Sequence, residues 1–405
     1  MARGLIFILL ALFIDTVGFG IVIPPLPQLI MQLTGEGLSA AARYGGWLMF
    51  VFAALQFFAA PVLGNLSDRF GRRPVLLISM AAFGLDYLVM GAAPTLTWLF
   101  ASRAVAGICG ATYAVANAYI ADSTKPDERA RVFGLLGAAW GTGFVIGPAL
   151  GGLLGSYGPR LPFFVAAGLA LANVAYGYLV LPESLSAENR RPFSLARANP
   201  VGSFLRMRRY PVVLGLIGAL LLYQIAHDAN PSTWTYFTME KFHWGPFDVG
   251  LSMAFIGVTF AIVKATLIGP IVKLLGERRT VYIGLALYVV GYVSLAFVPR
   301  GWMVYACILP FALGTIANPS IKSIMSRAVP ADEQGELQGA VASMAGITAI
   351  VAPIAMTQLF SYYTAARAPI YFPGASFLAA AALTFGALIV ATLVLRYTQA
   401  RAPSA

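Results

Sequence analysis

Twelve apolar stretches, each long enough to cross a bilayer, limit what this chain can fold into more than any other feature. A helical span needs roughly 20 predominantly apolar residues. Such stretches run approximately over residues 4–30, 45–65, 75–94, 97–121, 131–156, 161–182, 211–237, 247–270, 279–297, 301–327, 335–361 and 371–396. They are too long for barrel strands and lack period-two alternation, so helices must satisfy the backbone within the lipid. The separators are short, except for the polar stretch Pro182–Tyr210. Charged residues are 11% of the chain and hydrophobic residues 59%, whereas soluble domains carry about 25% charged residues. Such a chain cannot cover itself with a polar surface.

The formal net charge of +11 would suit a nucleic-acid partner, but its distribution argues against one. With both termini cytoplasmic, 19 of the 27 Lys and Arg fall on the cytoplasmic side. They are Arg3, Arg69, Arg72, Arg73, Lys125, Arg129, Arg131, the six arginines of the central loop, Lys273, Arg278, Arg279, Arg327, Arg396 and Arg401. Arg43, Arg160, Lys241, Arg300 and Arg367 fall outside, and Arg103, Lys264 and Lys322 lie within spans. This is the positive-inside asymmetry, so the basic excess reports topology. The first span contains Asp15 and Pro24-Pro25 and lacks a small-residue cleavage site, which reads as a retained span rather than a signal peptide. Cys109 and Cys307 sit in separate apolar spans, where buried free thiols are expected and neither a disulfide nor a metal site is.

A shift of 205 residues superimposes the chain's punctuation on itself. Gly64 falls on Gly269, Gly71 on Gly276, Asp127-Glu128 on Asp332-Glu333, Gly134 on Gly339 and Pro148 on Pro353, and the paired arginines Arg72-Arg73 recur as Arg278-Arg279. An even number of spans separates the copies, so they share one orientation. The reading is an all-α membrane protein of two parallel six-helix repeats, residues 1–182 and 211–405, joined by a cytoplasmic linker over 183–210. That repeat pattern belongs to the major facilitator architecture, whose substrate site lies near the bilayer midplane between the halves.

Two motifs sharpen the resemblance. Gly134, Gly143, Gly147-Pro148 and Gly151-Gly152 place glycines roughly along one face of the fifth helix, giving a stripe where another helix can approach closely. Pro148 removes a backbone donor and is expected to kink that helix. The pattern resembles the antiporter motif of drug-exporting major facilitator transporters. The loop Gly64–Pro74, GNLSDRFGRRP, closely resembles the signature loop of the same superfamily. The resemblance implies a cytoplasmic gate of Asp68, Arg69, Arg72 and Asp122, with Asp122 partnering Arg69 or Arg72. It also implies that Asp68 meets the start of the eleventh helix near Gln334-Gly335, where the helix dipole favours an anion. The second copy has Lys273 in place of Asp68, so this lock is expected to be one-sided.

Ionisable groups inside spans cost about 2.5–3.5 kcal/mol each and are functional candidates. Asp15, Asp86 and Arg103 are three such groups, and pairing of Asp15 with Arg103 is expected. FIDTVGFGIVIPPLPQL, GLDYLV, GATYAVANAYIAD and QGELQG resemble the tetracycline–proton antiporters. That resemblance implies that Asp15, Asp86 and Arg103 couple protons and that Gln56 lies on the substrate path. The second half departs, with Phe260 and Tyr288 where the tetracycline pumps carry a histidine and an acidic residue. In exchange it offers His227-Asp228, Lys264 and Lys322, and a Lys264–Asp228 pair is expected. The seventh helix is expected to break at Asn230-Pro231. Trp234 beyond it reads either as part of an interfacial aromatic belt or as a stacking surface for a planar drug. Tyr113, Asn117 and Asn318 are expected to face the cavity. His227, Asp228, Trp234 and Lys264 complete the candidate set.

The functional expectation is a proton-coupled exporter of small amphipathic drugs working by alternating access, tetracycline-like compounds first among them. A proton-coupled importer, or an exporter of another small solute on the same fold, is the alternative. An integral membrane enzyme would need a reactive cluster that two histidines and two separated cysteines do not supply. The glycine-rich Lys-Ser/Thr loop of ATP-hydrolysing proteins is absent from the sequence. The expectation is therefore a monomer in the bacterial inner membrane, both termini cytoplasmic, driven by the proton gradient without a cofactor or resident metal. Its substrate arrives free or as a metal chelate.

Overall fold

The computed structural model describes residues 2–125, 127–193 and 209–400, and every regular element among them is helical. Twelve of the helices are long and apolar enough to span a membrane. We number them α1 (Gly4–Val22), α2 (Leu38–Phe70), α3 (Arg72–Ala92), α4 (Leu96–Ser123), α5 (Arg131–Gly155) and α6 (Leu161–Val180). The others are α7 (Pro211–Phe242), α8 (Pro246–Leu275), α9 (Glu277–Phe297), α10 (Met303–Arg327), α11 (Gln334–Thr364) and α12 (Ala375–Tyr397). Arg197, Arg206, Arg208 and Arg401, and most of the expected linker, lie outside the described residues.

The element boundaries follow local chemistry. The expected first span stops at Val22 because Pro24-Pro25 cannot continue it, and a separate helix, Leu26–Thr34, follows. That short helix ends on Gly35, at φ +71°, whose amide donates to the Met31 carbonyl. α4 is interrupted at Gly110-Ala111, between Leu96–Cys109 and Thr112–Ser123. The expected break in α7 does not occur, since the helix runs through Pro231 without interruption. The carbonyl that Pro231 leaves without a donor is that of His227, one turn back, while Ser232 Oγ donates to the Asp228 carbonyl at 2.6 Å and Thr233 Oγ1 to the Ala229 carbonyl at 2.5 Å.

Packing divides the chain into two units: Met1–Asn199 with Trp244–Gly257, and Pro200–His243 with Val258–Ala405. In the first, α1 packs on α5 and α6, α3 on α6, and α2 on α4. In the second, the repeat mates of several of these contacts recur, α7 on α11 and α12 and α9 on α12. Its centre is aromatic, with Trp234 edge-on to Phe377 and Tyr288 and Tyr292 edge-on to Phe311.

The glycine pattern of α5 does the close packing in the first unit. A Cβ on Gly143 would stand 2.8 Å from Thr16 Cβ, and one on Gly147 would stand 2.7 Å from the Val17 carbonyl oxygen. A Cβ on Gly151 would strike the Ile21 backbone. On the α8 side, a Cβ on Gly152 would come 3.0 Å from Gly250 Cα. Pro148 faces Gly20, where a Cβ would lie 2.6 Å from its ring. Gly134 departs from the expected stripe, since a Cβ there would meet nothing within 4 Å. It lies toward the start of α5, whereas the contact with α1 is made further along the helix.

Candidate functional site

A buried charge pair in the first unit joins the hairpin of α3 and α4. Arg103 Nε donates to Asp86 Oδ1 at 3.1 Å, and Nη2 pairs with Asp86 Oδ2. Both side chains are buried, with the guanidinium over the rings of Phe52 and Tyr87. A fork of this kind satisfies both buried ions and fixes their mutual orientation. The expected Asp15–Arg103 pair is therefore corrected: the partner of Arg103 is Asp86. The reason is geometric, since the short turn at Ala93–Thr95 folds α3 back on α4 and brings residues equally far from it to one depth.

Asp15 is left in a different state. Asn173 Nδ2, on α6, bonds the Ala11 carbonyl at 3.1 Å and reaches Asp15 Oδ1 at 3.5 Å. Asp15 Oδ2 is buried with no hydrogen-bond partner among the described residues. A buried acceptor in this condition carries a desolvation penalty that a proton, a cation or water would relieve. Asn173 was not singled out in the sequence, although a lone amide in an otherwise apolar span was a signal available there.

The α4 interruption supplies the next polar groups. Gln56 Nε2 on α2 donates to the Gly110 carbonyl at 2.9 Å, occupying an acceptor that the broken helix exposes. Tyr113 and Asn117 follow one turn apart on the same face, Tyr113 exposed and Asn117 half-buried, with Asn117 Nδ2 bonded to the Tyr113 carbonyl. Interrupted helices whose freed backbone lines a cavity are a recurring device of transporters.

In the second unit the candidate residues separate. Asp228 accepts from Gln224 Nε2 at 3.0 Å, and His227 Nδ1 lies 3.7 Å from Asp228 Oδ1. Asn318, on α10, sits beside the Tyr223 hydroxyl, which donates to Tyr288 Oη at 3.0 Å. Lys264 does not pair with Asp228. It is exposed on a π-helical turn, Val263–Leu267, and the charge acting on it is Lys322. The extra residue of that turn resets the facing of everything beyond it, which spacing alone cannot anticipate. Trp234 is also corrected: at 0% exposure it is packed in the core, edge-on to Phe377. Phe260 and Tyr288 are likewise packed, both against Phe311.

At the ends of the spans, Arg72 organises the signature loop. Its guanidinium bonds Asp68 at 2.5 Å, Asp122 at 2.9 Å and Ser67 Oγ at 2.6 Å. Arg69 instead lies over the ring of Phe70. Glu183, missed in the sequence, accepts from the amides of Arg72 at 2.8 Å and Arg73 at 3.1 Å and so caps the N-terminus of α3. The second unit repeats the Arg72–Asp122 bridge with its signs exchanged. Glu277 and Arg327, the repeat mates of those two residues, form an ion pair, and Ser323 Oγ donates to Glu277 at 2.8 Å. The expected one-sided lock concerned Asp68, whose repeat mate is Lys273, and the Glu277–Arg327 pair is a separate bridge that the sequence reading did not consider.

Comparison with known proteins accords with this layout. Residues 8–353 and 232–405 match the family model described as the Major Facilitator Superfamily. The class C tetracycline resistance protein of Escherichia coli is 42% identical over 359 residues, covering 89% of this chain and 90% of that protein. The class G tetracycline resistance protein of Vibrio anguillarum is 38% identical over 365 residues, covering 89% of this chain and 91% of that protein. A solved bacterial homolog of the human lysosomal transporter Spinster shares the fold, with a TM-score of 0.79 at 15% identity, over 100% of this chain and 99% of its own. Among the described residues no group of His, Cys, Asp or Glu could hold a metal ion.

Proposed function

Because the chain belongs to the Major Facilitator Superfamily and groups within it with the tetracycline resistance proteins, we propose that it exports tetracycline-like amphipathic drugs in exchange for protons. It is a multi-pass membrane protein. Our reading places it in the bacterial inner membrane as a monomer with both termini cytoplasmic, which the nineteen cytoplasmic cations support. The two repeats, residues 1–182 and 211–405, supply alternating access, and the proton gradient drives transport without a cofactor. The substrate travels free or as a metal chelate of net charge near zero.

The observation that carries the reading is the contrast between two intramembrane carboxylates, Asp86 buried and Asp15 half-buried. Asp86 is held in a fork by Arg103 and needs no other partner. Asp15 keeps one buried oxygen unbonded. In our reading Asp15 is the group that exchanges a proton for substrate, and Asp86–Arg103 is the fixed charge pair that shapes its surroundings. Neutralising Asp15 from the outside releases the drug, and deprotonation on the inside readmits it. Gln56, Tyr113, Asn117, His227, Asp228, Lys264 and Asn318 remain the residues proposed to meet the substrate.

Everted membrane vesicles test this directly. Tetracycline should accumulate when the lumen is acidified, and a protonophore should stop accumulation. Uptake that persists without the gradient, or that runs with the proton rather than against it, would rule out antiport.

A further inference from the structure

The second unit carries two neighbouring cations inside its spans and no anion to meet them. Lys264 on α8 and Lys322 on α10 are both exposed, and the charge acting on Lys264 is that of Lys322. Among the described residues no carboxylate acts on either ammonium. Asp228 of the same unit is bonded by Gln224 instead. The ring of Phe260, 6.0 Å from Lys264 Nζ, steadies a cation but neutralises no charge. The fold turns Lys322 inward. Asn318, one turn before it, sits beside the Tyr223 hydroxyl of α7, and Ser326, one turn after it, donates to Gln334 of α11 at 2.9 Å. Residues four apart share a helix face, so Lys322 stands on the side of α10 that meets α7 and α11, not lipid. Lys264 lies next to Val263, which packs with Ala312 and Ile316 of α10. It is about 16 Å along the axis from Leu275, the nearer end of α8, too far for its stem to carry the ammonium out of the span. It also sits on the π-turn Val263–Leu267, and such turns recur at functional sites.

We propose that Lys264 and Lys322 together bind an anionic oxygen of the substrate, so that drugs enter the second unit as metal-free anions rather than as chelates. Ionisable groups within spans are costly and persist where they meet a solute or an ion. Two like charges side by side raise that cost, and one anion between them relieves both. An ammonium is a point charge with three donors on a flexible stem, which suits a carboxylate or an enolate oxygen. The same pair repels a bound divalent metal, so chelation removes affinity here instead of adding it. The inference rests on the export of tetracycline-like drugs proposed above and names, of the two forms allowed there, the one that this site takes.

Equilibrium dialysis of the purified full-length protein against tetracycline tests this at mildly alkaline pH, once with magnesium removed by a chelator and once with magnesium in excess. The metal-free drug is then anionic, and chelation adds the positive charge of the metal. The parent is expected to bind the metal-free form about tenfold more tightly than the chelate. Lys264→Gln with Lys322→Gln is expected to weaken binding of the metal-free form about tenfold and not to weaken that of the chelate. The parent's own preference needs no variant, so the test stands if the double variant does not purify. Equal binding of the two forms by the parent, or a double variant that keeps the parent's preference, overturns the inference and leaves the export reading standing. Binding of neither form overturns both. Displacement of the metal-free drug by added phosphatidylglycerol would give the two lysines to a lipid headgroup and overturn the substrate assignment.

Discussion

Alanine at Gly147 and alanine at Gly134 should have opposite consequences, although the two glycines belong to one sequence motif. A Cβ at residue 147 would stand 2.7 Å from the Val17 carbonyl oxygen and 2.8 Å from Gly20 Cα, where ordinary contact begins at 3.4 Å. Both obstacles are backbone, so no rotamer change relieves them, and α1 and α5 must part by about 0.7 Å, the gap between 2.7 and 3.4 Å. Overpacking of this sort costs about 1–3 kcal/mol. A Cβ at residue 134 meets nothing within 4 Å. Both substitutions gain about the same helix propensity, ~1 kcal/mol, so the difference between them isolates the steric cost. Thermal unfolding of the two variants and the parent in one detergent measures it. Gly147→Ala should unfold below Gly134→Ala, and Gly134→Ala at or above the parent. Equal unfolding temperatures for the two variants would refute the packing account of the motif.

Three further outcomes follow from the same geometry. Trp234→Ala should destabilise the protein by about 3–5 kcal/mol and leave the order of exported drugs unchanged, as read from unfolding and a resistance panel. A changed drug order with unchanged stability would return Trp234 to the substrate path. Arg103→Gln should cost about 3–5 kcal/mol by stranding Asp86, with Asp86→Asn in the same chain recovering part of it. Additive losses in that double-mutant cycle would mean the pair is not coupled. Lys264→Met removes one of two neighbouring cations and should shift the resistance profile toward cationic drugs, whereas an identical profile would take Lys264 out of the site.

The spans, the repeat and the tight α1–α5 contact could be read from the sequence because each rests on periodicity or composition. The partner of Arg103 could not be read from residue type, since Asp15 and Asp86 are both intramembrane carboxylates. It was nonetheless available from topology. Residues 86 and 103 are nearly equidistant from the Ala93–Thr95 turn, and an antiparallel hairpin levels them. The facing of Lys264 was not available, because a π-turn leaves no mark in apolar spacing. Pro231 was read as a break, yet the helix continues through it, since one missing amide costs a single i→i−4 bond. Glu183 was overlooked because its role depends on a contact 111 residues away.

The central claim is that Asp15 is the carboxylate that trades a proton for substrate. Tetracycline-driven proton movement in proteoliposomes, parent against Asp15→Asn, tests it most directly. The amide keeps the shape of the side chain but cannot titrate. Tetracycline added to parent vesicles should drive a counterflow of protons, and Asp15→Asn, inserted in equal amount, should show none. Proton counterflow of parental size in Asp15→Asn would contradict the claim.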